Sequence, residues 1–373
     1  MEAVSEVRDS RSKAAMAAWA YRPGDITFNS VGDLVKHTKE LKDRSFLMDA
    51  ALEQLQVRSG GDSLRLGGDD MYIVKDGKPA ALNNHSFNQL CQSVGARAGE
   101  YRKLPAALAQ VPLTWLAQNC DRKDVKILVR RDDNDNVVCN AINSPTYGRI
   151  WNYELAAAVE AHIDPDVWTM PETSHFHSKV GFISTNDRKA FIFLVNEKNP
   201  IVLRGMDKPL YRGFYAWNSE VGDGTAGYAD FLYNSVCANR AMIGVSDFKE
   251  LVIRHTSGAP HRWIGEAVPT LNEYVNTPTE KIAGLLEASR EKRVAKDEKG
   301  ALQWLQDRGF TKSLAVATVE SAREEERGAD PNASPYCVWN LIMGATAEAR
   351  AKVNNDERVA IELQAGKLMK AVA

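Results

Sequence analysis

The sequence predicts an α+β fold, with central antiparallel β-hairpins packed on a long helix and helical N- and C-terminal regions around them. Three observations lead there. Short apolar blocks such as "VKILVRR", "VVCNAI", "AFIFLV" and "YRGFYAWNS" carry strand patterning and are joined by polar turns, which favours antiparallel pairing. Between them lies the Ala-rich "WNYELAAAVEAHI", whose apolar residues recur at helical spacing. Beyond residue 265 strand patterning gives way to charged, helix-spaced segments.

Residues 1–25 lack an apolar pattern until "MAAWAYRPG" and read as a mobile arm. Residues 26–120 form a mixed helical and hairpin N-terminal region. In it "VGDLVKHTKELKDRSFLMDAALEQLQV" spaces Leu34, Leu41, Leu47, Leu52 and Leu55 like a helix, broken near Asp43-Arg44. "MYIVKDGKPAAL" is a hairpin turning at Asp76-Gly77. "SFNQLCQSVG" follows as a short helix with Ser86 as N-cap and Gly95 beyond its end, and further short helices are punctuated by Pro105 and Pro112.

Residues 121–265 make the central α+β core. Its first hairpin turns at "DDNDN", which lacks the glycine and glutamate of a calcium loop. Ser144-Pro145 marks the predicted helix start, and strands follow at "KVGFIST", "AFIFLV", "PIVLRG" and "YRGFYAWNS". "YADFLYNSVC" spaces Tyr228, Phe231, Leu232 and Val236 like a helix, while "MIGVS" and "ELVIRHT" read as edge strands. Residues 266–373 are the helical C-terminal region, with "GADPNASP" (328–335) as a linker.

Composition excludes several function classes. Of the 373 residues 44% are hydrophobic and 26% charged, a globular balance. No apolar run of about 18 residues exists, and the N-terminus carries charges where a secretory signal needs an apolar stretch, so a cytoplasmic protein is expected. The five cysteines (Cys91, Cys120, Cys139, Cys237 and Cys337) are scattered without C-x-x-C, which fits free thiols better than a disulfide framework or a zinc ribbon. A net charge of −2 leaves room only for a local basic groove.

Gly222, Gly224 and Gly227 have the G-x-G-x-x-G spacing of a dinucleotide loop, with Asp247 where a ribose-binding acid could fall. The preceding "YRGFYAWNSEV" is not the apolar run of a buried parallel strand, so these glycines are expected to shape a loop instead. His175 and His177 share a face if "SHFHS" is a strand, but spacing fixes no third metal ligand. Neither metal nor cofactor is expected. The chain has no G-x-S-x-G, no Walker lysine motif and no H-E-x-x-H, so the common enzyme signatures are absent.

What remains is a mixture of cations and aromatics in the core. Lys126, Arg130, Arg149, Arg204 and Arg212 are the expected phosphate contacts, and Tyr147, Trp151 and Tyr211 the expected base-stacking rings, of a groove for single-stranded DNA.

A resemblance adds to this. Ser144, Tyr147 and Asn152, then Asn218-Ser219-Glu220-Val221-Gly222 with Gly224, then Cys237 and Asn239, then Arg254-His255 resemble the motifs of phage and plasmid proteins grouped as a domain-of-unknown-function family. Where that family has glycine after the Cys-x-Asn, this chain has Arg240. The resemblance covers roughly residues 45–365 and implies a phage or plasmid protein of DNA metabolism in the host cytoplasm. The hairpins-plus-helix outline is similar to ring-forming single-strand annealing proteins, which implies a homo-oligomer that binds single-stranded DNA and anneals complementary strands in recombination. The alternatives are an interaction protein that binds a host factor, and a metal-assisted enzyme using His175, His177, Glu220 and His255.

Overall fold

The computed structural model describes residues 25–60, 70–121, 124–171, 182–204, 209–234, 239–241, 251–324, 329–350, 361 and 364–372. Residues 1–24 of the expected arm, His175, His177, Cys237 and the "MIGVS" strand lie outside them. The fold is α+β. In chain order the strands are β1 (Ile26–Thr27), β2 (Ser45–Ala51), β3 (Gln56–Ser59), β4 (Met71–Lys75), β5 (Lys78–Leu82), β6 (Asp124–Arg131) and β7 (Val137–Asn143). They continue with β8 (Ile183–Thr185), β9 (Ala190–Ile201), β10 (Leu210–Asn218), β11 (Ala226–Asn234), β12 (Asn239–Ala241) and β13 (Leu251–Ile253). The helices are α1 (Val31–Asp43), α2 (Asn84–Ser93), α3 (Ala98–Tyr101), α4 (Ala106–Asn119), α5 (Asn152–His162) and α6 (Ala259–Arg262). A π-helical turn (Trp263–Ala267) leads into α7 (Val268–Asn276), and α8 (Thr279–Glu291), α9 (Glu298–Gln306), α10 (Lys312–Ser321) and α11 (Val338–Arg350) complete the set.

The described strands form two sheets. The first has the order β2-β6-β7-β5-β4-β3, antiparallel except for the β5–β7 pair. It crosses the 120/121 boundary expected from the change of hydrophobic period, because β6 and β7 insert between β2 and β5. One face buries Ile73, Val125, Ile127, Val129 and Cys139 against Phe87 and Leu90 of α2 and Leu113 of α4. The second sheet has the order β1-β8-β9-β10-β11-β12, with β13 also on β11. Strand β9 is buried on both faces from Ala190 to Asn196, and its alternation decides which residue goes where. Ile192 and Leu194 meet α1, α5 and the α6–α7 segment through Leu34, Leu155, Val159 and Trp263. Phe191, Phe193 and Val195 pack on the other face with Tyr215 and Phe231.

Several local expectations are corrected by pairing over distance. The predicted helix does not resume after Asp43: the chain enters β2, because Ser45 to Ala51 pair in register with Arg130 to Asp124. The segment 228–236 lies in strand β11, where Tyr211↔Tyr233 to Trp217↔Gly227 match β10 residue for residue. Helix α5 starts at Asn152, not at Ser144-Pro145, and the Glu154 carboxylate accepts the Trp151 N–H to cap it. Asn83, not Ser86, caps α2 through the Ser86 N–H. Pro112 sits inside α4 instead of ending a helix. The expected linker 328–335 holds a buried carboxylate, Asp330, paired with Arg290 at 2.5 Å. The Asp76-Gly77 turn is as expected, with φ of 51° and 76° as a tight hairpin turn requires.

The C-terminal helices bury Trp339, Leu341 and Ile342 with Leu286, Leu305 and Val319, and Leu210 and Leu232 of the second sheet extend this core. Helices α10 and α11 approach so closely at Gly344 that a Cβ there would meet the Thr318 carbonyl and the Ala322 backbone. Gly344→Ala is therefore expected to destabilise the protein by about 1–3 kcal/mol, the usual range for overpacking. Urea unfolding measures this, and a midpoint equal to that of the unsubstituted chain would show that the helices can separate freely. No helix among the described residues is long and apolar enough to cross a membrane.

Candidate functional site

Strand β10 ends at Asn218, and the loop that follows plugs into the end of the first sheet. Its Glu220 is buried and holds the two halves together. One carboxylate oxygen accepts from Arg130 Nη2 on β6 at 2.5 Å, and the other accepts the Asn152 N–H at 2.9 Å, at the start of α5. Arg130 in turn donates through Nε to Ser45 Oγ of β2. The Glu220 carbonyl accepts from Arg149 Nη1, whose Nη2 reaches Asn143 Oδ1 at 2.9 Å. The Val221 carbonyl is met by Gln89 Nε2, Asn143 Nδ2 and His85 Nε2, at 2.8, 3.0 and 3.1 Å. Asn218 Nδ2 donates to the Ile150 carbonyl and to Asn152 Oδ1, and Tyr147 Oη donates to the Ser219 carbonyl.

Gly222 has φ of 87°, and a Cβ there would press on Asn143 Nδ2 at 2.8 Å. The glycines of the G-x-G-x-x-G pattern thus shape a loop: Gly222 turns it, and Gly227 already lies in β11, paired with Trp217. His255 stacks on Tyr147, ring centroids 5.0 Å apart, and its Nδ1 lies 3.0 Å from the Gly148 carbonyl. Burial lowers the His255 pKa, with the Arg149 charge acting in the same direction, so its imidazole is neutral at pH 7. Burial likewise pushes the Tyr147 hydroxyl up, and it stays protonated as a donor. The segments 144–152, 218–222 and 254–255, distant in sequence, meet here in one polar knot.

The expected groove residues are not brought together as a groove. Arg130 is buried and paired, and Arg149 uses its guanidinium inside the knot while lying over the Tyr147 and Trp151 rings at 5.2 and 5.7 Å. Arg212 is buried at the far end of β10, about 20 Å from Asn218 at the rise of an extended strand. Its Nη1 donates to the Thr277 carbonyl at 2.6 Å, and its guanidinium lies over the Trp168 ring at 5.4 Å. For both Arg149 and Arg212 the largest influence on the pKa is burial, which lowers it. Tyr211 is half-buried against the Phe191–Phe231 face and, as its neighbour on a strand, points away from Arg212. Lys126 is half-buried on β6 between the registers of Asp49 and Asn143, and Arg204 is exposed beyond β9, its N–H donated to Glu287.

Trp151 is the expected stacking residue that does sit in a cation–aromatic patch. Lys42 Nζ of α1 lies 5.4 Å from the Trp151 ring and 5.2 Å from the Tyr153 ring, and Lys39 Nζ lies 5.8 Å from Tyr153. Both rings are half-buried, and the Lys42 and Lys39 side chains are 32% and 55% exposed. Lys42 pairs with Glu154 at 3.2 Å and Lys39 with Asp43 at 2.8 Å. Sequence reasoning misses Tyr153, Lys39 and Lys42. The lysines lie in a different region of the chain, and only the packing of α1 on α5 places them beside the rings.

Compared with known proteins, the chain matches no family model, no curated protein and no solved structure.

Proposed function

We propose that the chain is a phage- or plasmid-type protein of DNA metabolism that binds single-stranded DNA as a homo-oligomer in the host cytoplasm and anneals complementary strands. The observation that carries this reading is the patch of Lys39, Lys42, Trp151 and Tyr153, where two half-buried rings lie within 6 Å of ammonium groups. Single strands are held by that combination, with bases on ring faces and phosphates on cations. A phosphate would displace Asp43 and Glu154 from the lysines, an exchange of weak surface pairs that costs about 0–1 kcal/mol each. The knot around Glu220 supports the patch by fixing the start of α5, on which Trp151 and Tyr153 sit. In this reading Arg130, Arg149 and Arg212 hold the fold and do not touch the strand.

Fluorescence anisotropy with a labelled oligothymidylate of about 30 nucleotides tests the proposal, since such a length spans one or more binding sites. Tyr153→Ala is expected to weaken binding about 5- to 150-fold, the loss of one stacked base. Lys39→Ala with Lys42→Ala is expected to flatten the slope of log K against log salt by roughly 0.7 for each phosphate no longer neutralised. If the unsubstituted chain fails to bind at low salt, the proposal is wrong; if it binds and both variants match it, the patch is the wrong surface.

A further inference from the structure

Helix α4 is apolar around more of its circumference than the fold covers. Ala106, Ala109, Leu113 and Ala117 form its inward stripe, packed on the first sheet. On another face Leu104, just before the helix, and Leu108, Val111 and Trp115 stand 38%, 62%, 67% and 61% exposed. The steps of three and four from Leu108 to Val111 and Trp115 are the a-d-a spacing of a short coiled-coil seam, which sets these three in one row, while Leu104 precedes the helix. The helix itself carries no charge: between Lys103 and Asp121 the sequence has no Asp, Glu, Lys or Arg. A helix facing water normally carries charges on that side. Pro112 lies in the middle, and because it has no N–H the Leu108 carbonyl lacks its helical donor.

We infer that this row is the contact between two copies of the chain, packed as antiparallel helices about a two-fold axis beside Val111 and Pro112. Charge selects the occupant. A lipid surface attracts amphipathic helices that carry Lys and Arg, and a nucleic acid needs cations, neither of which α4 offers. A two-fold contact presents the same patch from both copies, and an uncharged row needs no counter-charge from its mate. The symmetry also sets Leu108 against Trp115 of the second copy. The indole N–H, which needs an acceptor once water is excluded, then meets the carbonyl that Pro112 leaves without a donor. The exposed row amounts to roughly 400 Å² of apolar surface, the size of the largest such patch on a typical monomer, which is often functional. Two rows with their rims of Gln118, Asn119 and Lys103 reach the ~1,000 Å² that a specific interface needs. The inference deepens the oligomer part of the function proposed above. Because it is tested without DNA, its failure and a failure of strand binding are separate results.

Sedimentation velocity of the full chain, at about 1 and about 50 µM to bracket a micromolar Kd, is the experiment. The expected result is a species of twice the 41.3 kDa chain, populated at the higher concentration. Val111→Glu and Trp115→Glu change exposed side chains, so circular dichroism should stay that of the parent chain while the mass falls to one chain. Val111→Cys should form a disulfide-linked pair on mild oxidation, since residue 111 stands beside its own mate at the axis, and Gln118→Cys at the end of the row should not. A parent chain of single mass at both concentrations overturns the inference. So does a folded Trp115→Glu chain that keeps the doubled mass, or a larger assembly that Val111→Glu leaves intact.

Discussion

Replacing Glu220 by Ala is expected to lower stability by about 3–5 kcal/mol, the usual loss when one partner of a buried ion pair is removed. Two groups are stranded by it. Arg130, with its side chain only 9% exposed, keeps a charge without a counter-ion, and the Asn152 N–H at the start of α5 loses its acceptor. The effect should reach both sheets, since Glu220 belongs to the loop after β10 while Arg130 lies on β6. Glu220→Gln should fall between, because an amide oxygen can still accept one of the two hydrogen bonds. Arg130→Met combined with Glu220→Leu should recover part of the loss, as apolar replacements of whole buried pairs often do, but not the contribution of the Asn152 N–H. Urea unfolding of the four chains measures this. A Glu220→Ala chain within about 1 kcal/mol of the parent would mean that water reaches the pair and screens it.

Asp230→Asn is expected to make stability less dependent on pH. Asp230 lies on β11 and is buried, and that burial pushes its carboxyl up to about 8. An unfolded aspartate titrates near 3.9, so between about pH 4 and 8 the folded chain holds a proton that the unfolded chain has released. The sign follows: this stability is fully present below about pH 4 and is lost as pH rises through 8, at up to about 1.4 kcal/mol per pH unit. Asparagine keeps the shape and cannot ionise. The variant should therefore be more stable than the parent at pH 8, with an advantage that shrinks towards pH 5. Other titrating groups, His255 among them, are common to both chains and cancel in the difference. Urea midpoints at the two pH values decide it, and an equal difference at both would show that Asp230 ionises normally in the fold.

How much the sequence discloses depends on the reach of the interaction involved. The β4–β5 hairpin could be read because Asp76-Gly77 carries its turn within itself, and β6–β7 because "DDNDN" does the same. Strand β11 could not. Tyr228, Phe231 and Leu232 fit a helical spacing, yet in the strand Tyr228, Asp230 and Leu232 share one face and Ala229 and Phe231 the other; only pairing with β10 decides between them. The site behaves in the same way. The stretches around Tyr147 and Glu220 could be singled out, but arginines among aromatics read alike whether they face a nucleic acid or a buried carboxylate. The partner that settles the matter for Arg130 is 90 residues away.

The order of the first sheet also bears on how the chain is made. Strands β2 to β5 leave the ribosome well before β6 and β7, which occupy the middle of that sheet. At the usual ~5–20 residues per second the early strands wait several seconds for their neighbours. During that interval β2 has no partner for a row of backbone groups flanked by Phe46 and Leu47, which stay partly exposed even in the finished fold. The helical segments made in between, α2 and α4, can shield the apolar side of β3 to β5, but not that open edge. The nascent protein therefore passes through a stage in which a chaperone has something definite to hold, and for β2 that stage closes when residues 124–131 emerge and pair with it as β6.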